Sequence, residues 1–224
     1  MASPPPAARS RSEWLSVLAR APRIIPGTPE QIYSDAEWFA ANLPEHGVLL
    51  PGQRVLDFGC GIGKLAIPLT ERAVEYAGID VRPDCIAFCR KAFAPWPQFS
   101  FDSVPVRNAF YSPRAPVSPE ELALPYADRA FDAAVAISVF THLETEAVCL
   151  RSLQELRRVL RDGGLLFCTW FRSPPNAPSS KPARRVYPEE DIHRMLGSGF
   201  GVRSSWGGAS TEQHDQWCIV AEAV

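Results

Sequence analysis

The stretch Val55-Leu56-Asp57-Phe58-Gly59-Cys60-Gly61-Ile62-Gly63 constrains this chain more than any other. An apolar strand runs into an acid and then into three glycines at alternate positions. Glycine accepts positive φ and carries no side chain to block an approach, so such a turn lets a ligand lie against bare backbone. The apolar run at 65–69 reads as a helix opening at the turn, with free N–H groups and a dipole that favour a carboxylate. Two other glycine-rich patterns do not fit. The dinucleotide fingerprint G-x-G-x-x-G needs a glycine where Lys64 stands, and the P-loop needs G-x-x-x-x-G-K-[ST].

From Gln53 onward strand and helix patterns alternate, which implies a parallel sheet with helices on both faces. Strands are expected at 54–58, 76–80, 99–104, 131–138 and 165–171, with helices at 64–73 and 83–94. A long helix over 145–161 repeats Leu150, Leu153, Leu156, Val159 and Leu160 and meets its stop at Gly163-Gly164. Residues 172–186 form a loop with four prolines and three serines. Pro188 starts a helix through Leu196, and 200–206 with 216–222 make a closing hairpin whose final strand is antiparallel. Before the sheet, a helix at 13–20 carries Trp14, Leu15 and Leu18 on one side, and Pro22, Pro26 and Pro29 break the chain. Ser34-x-x-Glu37 reads as a capping box for a helix through Leu43, with Trp38, Phe39 and Leu43 on its buried face.

Of the 224 residues 46% are hydrophobic, enough for the core of one α/β domain, and the net charge of −2 gives no reason to invoke nucleic acid. The six cysteines are scattered, without C-x-x-C pairs or clustered histidines. That argues against a metal site or a disulfide framework and suits a reducing cytoplasm. No segment approaches the ~18 apolar residues a membrane span requires, so a membrane partner is not expected. Residues 1–11, with three consecutive prolines, read as a disordered leader.

Three further stretches join the glycine turn. Asp80 closes the next strand, Tyr76-Ala77-Gly78-Ile79-Asp80. Leu124-Pro125-Tyr126-Ala127-Asp128 and Phe131-Asp132 precede Ser138-Val139-Phe140-Thr141-His142-Leu143, and Arg158-Val159-Leu160-Arg161-Asp162-Gly163-Gly164 follows. Over about residues 53–171 this set resembles the class I S-adenosylmethionine-dependent methyltransferases that act on small molecules. The resemblance implies an α/β, Rossmann-like, doubly wound seven-stranded sheet with an antiparallel last strand and an N-terminal helical cover. The division would be a leader at 1–11 and a single domain at 12–224, comprising a cap or lid at 12–50 and the nucleotide-binding sheet at 51–224.

The same resemblance implies S-adenosylmethionine as cofactor, held by Asp57, Gly59, Cys60, Gly61, Gly63, Asp80, Val81 and Ser138. Asp57 would take the α-ammonium, the glycine backbone would pass under the methionyl chain, Asp80 would accept from the ribose hydroxyls and Val81 would pack on the adenine. A small-molecule methyl acceptor would meet Trp14, Tyr111, His142, Trp170 and Phe171, with the long stretch 106–118 forming part of its pocket. His142 has two readings: a general base, or a first-turn residue of a helix capped by Thr141-x-x-Glu144. Asp132 opens a buried strand and reads as structural, and His46, His193 and His214 have no motif around them. The expected reaction is methyl transfer, foremost to oxygen. A protein that binds the cosubstrate without transferring its methyl group, as a cyclase, sensor or partner subunit, stays open. Methylation of protein or nucleic acid is disfavoured, because the D/N/S-P-P-Y/F signature is absent after the fourth strand.

Overall fold

Successive residues of a strand face opposite sides, so a strand apolar at every position must be covered on both. β1 (Arg54–Phe58) comes near that condition: Val55 to Phe58 are buried, and Val55 joins one apolar cluster and Leu56 the other. The computed structural model of the protein describes residues 8–23, 27–172, 185–211 and 214–224. In it β1 lies mid-sheet, flanked in parallel by β2 (Glu75–Asp80) and β4 (Phe131–Ala136). β3 (Phe99–Ser103) continues beyond β2. On the other side follow β5 (Leu160–Arg172), β8 (His214–Ala223) and β7 (Phe200–Thr211), giving the order β3-β2-β1-β4-β5-β8-β7. β8 runs antiparallel to both neighbours, and an eighth short strand, β6 (Val186–Tyr187), pairs with the end of β5.

One face of the sheet is covered by α1 (Arg11–Leu18), α2 (Pro29–Asn42), the single-turn α3 (Ala66–Leu69) and α4 (Pro83–Ala92). The other is covered by α5 (Glu146–Val159) and α6 (Glu189–Leu196), whose Leu153, Leu156, Ile192 and Met195 are buried. The chain runs outward from β1 to β2 and β3 and then crosses back to β4 on the other side of β1, so the carboxyl ends of β1 and β4 bound the crevice where such sheets bind ligands. Asp132 is structural, as expected: its carboxylate accepts from Arg54 N at 2.8 Å and Arg161 Nε at 2.7 Å.

Several boundaries differ from expectation. The helix expected at 64–73 is four residues long, and it does not open at Lys64 because Pro68 offers no N–H to the Lys64 carbonyl, which accepts from Ile67 N instead. One turn sums few peptide dipoles, so the argument for a carboxylate at its N-terminus lapses. α2 starts at Thr28, not Ser34. Thr28 Oγ1 accepts from Gln31 N at 3.3 Å, Gln31 Oε1 accepts from Thr28 N at 2.8 Å, and Pro29 opens the helix instead of breaking it. In that register Ile32, Ala36, Phe39 and Ala40 face inward and Trp38 is 38% exposed. α5 ends at Val159 and passes directly into β5, ahead of the two glycines. Gly163, at φ +72°, instead serves the point where β5 slips register against β4. Thr141-x-x-Glu144 is no capping box: Thr141 Oγ1 donates to Ser138 O, Glu144 Oε1 accepts from Ala109 N, and Thr145 caps α5.

The expected leader divides. Residues 1–7 lie outside the described residues. Arg9, however, donates to Ala92 O at 2.6 Å and lies over the rings of Trp14 and Trp96, and Ser10 caps α1. Most of the proline-rich stretch, 173–184, also lies outside the described residues.

α1 is part of the core. Trp14 stacks 5.7 Å from Trp96 and 5.1 Å from Phe93, and Leu18 is buried beside it. Trp14→Ala should therefore cost ~3–5 kcal/mol of folding free energy, and deletion through Arg20 should destabilise the whole sheet. Urea unfolding of both variants checks this. A truncated protein as stable as the full chain would show that α1 only rests on the surface.

Candidate functional site

At the carboxyl ends of β1, β2, β4 and β5 the surface opens into a cleft of about 740 Å³, within the range of small-molecule sites. Its floor is the glycine turn. Gly59, Gly61 and Gly63 have φ of +80°, +55° and +73°, a region that side chains disfavour. The turn is tied to β2, since Gly59 N and Cys60 N both donate to Ile79 O, at 2.8 and 3.0 Å. A Cβ on Gly59 would stand 2.5 Å from Val139 Cγ2. A Cβ on Gly63 would stand 2.8 Å from Phe93 and 3.1 Å from Cys89 Sγ. Gly63 thus serves the packing of α4 and does not line the cleft, whereas Gly59, Cys60 and Gly61 do.

Two carboxylates flank the turn. Asp80 accepts from Gly61 N through Oδ2 and from Arg82 N through Oδ1, both at 2.8 Å. Each oxygen has a second lone pair, so the group that shapes the turn can also accept from a ligand. Burial raises its pKa, against the pull of those two N–H groups. Asp57 is buried beneath the turn and accepts from the Tyr76 hydroxyl at 2.5 Å. Burial pushes its pKa up to about 7, while Tyr76 and Lys64 draw it down.

Lys64, where a dinucleotide fingerprint would have glycine, lines the cleft with its ammonium 3.9 Å from Asp35 and 5.4 Å from the Phe39 ring. Burial lowers its pKa, against the pull of Asp35 and Asp57. The sequence marked Lys64 only as a departure from another motif. Asp35 and Tyr76 carried no signal, because they reach the site through the packing of α2 and the pairing of β1 with β2.

The far side of the cleft comes from the loops after β4 and β5 and from the stretch after β3. Asn108 Nδ2 donates to His142 O at 3.1 Å and Ala109 N to Glu144 Oε1 at 2.6 Å, fastening that stretch to the β4 loop. Tyr111 then meets the His142 ring edge-on, with centroids 5.4 Å apart and planes at 87°. Tyr111, His142, Phe171, Val81 and Ser138 all line the cleft. Trp14 and Trp170 do not. Trp14 belongs to the α1–α4 packing, and Trp170 is fully buried and stacked on Phe140 at 4.3 Å, because alternation along β5 turns it away from the face that Phe171 shares. His46 stacks on Trp206 outside the cleft. The cleft reaches α2 through Gly27, Glu30, Gln31, Ser34 and Asp35, so the covering helix at the site is α2.

Residues 56–168, half of the chain, match the family model of the methyltransferase domain. The chain is 32% identical over 116 residues to the O-methyltransferase resE of Aspergillus sclerotiorum, covering 51% of this chain and 38% of that protein. It is 28% identical over 144 residues to the demethylmenaquinone methyltransferase of Beutenbergia cavernae, covering 64% and 51%. The chain thus matches 38% and 51% of the length of these two relatives. The solved [4+2]-cyclase SpnF shares the fold with a TM-score of 0.65 at 20% identity, covering 85% of this chain and 81% of that one.

The buried carboxyl of Asp57 sets a pH dependence. Its unfolded form ionises near the ordinary 3.8, whereas its folded form holds the proton to about 7. Between those values the folded chain binds more protons, so Asp57 erodes stability as pH rises from about 4 to about 7. Asp57→Asn should flatten that part of the profile, making the variant relatively more stable at pH 8 than at pH 5. Urea unfolding of both proteins at the two pH values measures it, and parallel profiles would contradict the raised pKa.

Proposed function

The chain belongs to the class I S-adenosylmethionine-dependent methyltransferase family, and from that premise we propose that it methylates a hydroxyl oxygen of a small molecule held in this cleft. The observation that carries the proposal is that Asp57, the glycine turn and Asp80 share one cleft with Tyr111, His142 and Phe171. The residues fit the cosubstrate. Asp80 has lone pairs left for the ribose hydroxyls, Asp57 and Lys64 offer opposite charges for the methionyl ammonium and carboxylate, and Gly59 and Gly61 present bare backbone to the cleft. Val81 would cover the adenine, Cys60 and Gly61 would complete the wall, and Ser138, after β4, would stand where cosubstrate and acceptor meet.

When bound, S-adenosylmethionine supplies a methyl carbon whose bond to sulfur breaks, leaving the electron pair on sulfur, as a lone pair of the acceptor oxygen bonds to it. The chain's own residues position the reactants and exclude water, which can lower such a barrier by ~7–11 kcal/mol. Tyr111 and Phe171 supply apolar walls. Among the described histidines only His142 lines the cleft, so it is the candidate to receive the hydroxyl proton. A relative named as an O-methyltransferase supports oxygen as the acceptor atom. Six buried cysteine thiols suit a cytoplasmic setting, and we place the enzyme in a biosynthetic pathway. No helix of the described residues is long and apolar enough to cross a membrane.

A second reading, cosubstrate binding without transfer, has support in the cyclase that shares this fold, since fold does not fix chemistry. Asp80→Ala should weaken S-adenosylmethionine binding by ~1–3 kcal/mol, and calorimetry that finds it unchanged would remove Asp80 from the site. Release of S-adenosylhomocysteine with a panel of hydroxylated acceptors separates the two readings: tight binding with no release favours the second. If His142 is the base, His142→Ala should slow single turnover ~10²–10⁴-fold with little change in cosubstrate affinity. A loss of affinity or stability without a separate rate effect would make it a wall residue.

A further inference from the structure

One buried polar atom of the cleft wall has no hydrogen-bond partner among the described residues: Gln216 Oε1. Gln216 is 5% exposed and lines the cleft, and its Nε2 donates to Ser138 Oγ at 2.6 Å. The pair is held from behind. Ser138 N donates to Thr169 Oγ1 at 2.7 Å, and Ser138 is fixed at φ +59°, a conformation that non-glycine residues take at a cost and that clusters at ligand sites. Gln216 also faces Phe171 across the β5–β8 ladder, beside a ring that lines the same cleft. Buried amide oxygens are nearly always paired, and leaving one unpaired is unfavourable. A donor on a bound molecule is the partner this position lacks.

The sheet order says which molecule. Asp80 closes β2 and the glycine turn follows β1, whereas Phe171 and Gln216 belong to β5 and β8, beyond β4 on the other side of β1. With the cosubstrate on the first pair, the amide faces the acceptor. Phe110, 51% exposed, lies next to Tyr111 on the stretch fastened to the β4 loop, so this part of the cleft offers aromatic surface as well as one hydrogen-bond acceptor.

Resting on the methyl-transfer reading, we propose that the acceptor is a planar hydroxyarene with a second hydrogen-bond donor on its ring system. Gln216 Oε1 accepts from that second group, which is not the one methylated, while the ring lies among Phe110, Tyr111 and Phe171. Gln216 is therefore a specificity-determining residue. It selects for a donor, because a site built to bond a hydroxyl disfavours the analogue that lacks it.

The test is equilibrium binding of dihydroxynaphthalenes and their monomethyl ethers to the full chain in the presence of S-adenosylhomocysteine. At least one diol should bind ~10-fold or more tightly than its ether. Gln216→Met, close in volume but without the amide, should bring that ratio near one. Gln216→Glu keeps acceptor oxygens and should keep the preference. Equal binding of diol and ether by the native chain, binding of neither, or a preference that survives in Gln216→Met would overturn the proposal. If the Met variant does not fold, the native ratio and the Glu variant still decide. Transfer confined to non-aromatic alcohols would refute the inference and leave the methyl-transfer reading standing, whereas failure to bind S-adenosylmethionine would remove that reading itself.

Discussion

Two backbone N–H groups, those of Gly59 and Cys60, share one acceptor, the carbonyl of Ile79, and the site depends on that arrangement. It ends β1 at the level of the last residues of β2, so the acid that closes β2 arrives beside the turn that follows β1. Asp80 can then accept from Gly61 N and Arg82 N together, holding the turn open at positive φ. A shift of one residue in the β1–β2 register would exchange the faces of every side chain on β1 and part the acid from the turn. The ligand-facing geometry is thus an outcome of strand pairing, with glycine removing the obstacle and Asp80 fixing the shape.

The helical cover divides into two roles that share one apolar cluster. α1 closes the core through Trp14 and Leu18 against Phe93 and Trp96, outside the cleft. α2 carries Phe39 into the same cluster and presents its first two turns to the cleft, with Asp35 near Lys64. Because Lys64 belongs to the glycine turn, this ion pair links the cover to the floor. It lies mostly out of water, where a charge contact is worth more than on the surface but also costs more to form.

The stretch after β3 shows how a long connection becomes part of a site. Its hydrogen bonds to His142 O and Glu144 hold it to the β4 loop, and Asn108 Oδ1 accepts from Phe110 N and Tyr111 N to set its local turn. Tyr111 reaches His142 by this route. The far side of the cleft is therefore assembled from several loops, while the side of the glycine turn is almost contiguous in sequence.

That contrast explains what could be read in advance. β1, the end of β2, the start of α4 and the body of α5 were legible, because apolar periodicity, glycine spacing and a closing acid act within a few residues of each other. The family and the membership of Asp57, Gly59, Gly61 and Asp80 in one site followed from those local signals. Other features were settled by distant partners. Trp14 and Trp170 are aromatic residues near loops in the sequence, yet the packing of α1 on α4 and the alternation of β5 bury both. Thr28 prevailed over Ser34 as the cap of α2, because the earlier start adds a turn that brings Ile32 onto the buried face of Ala36 and Phe39. Gln216 had no motif around it, and its place beside Ser138 exists only through the antiparallel β5–β8 ladder. By itself the sequence determined the sheet, the glycine turn and its acids, whose physics is local. Tertiary structure alone decided which aromatic, amide and charged groups reach the cleft, because that depends on register and packing between segments far apart in the chain.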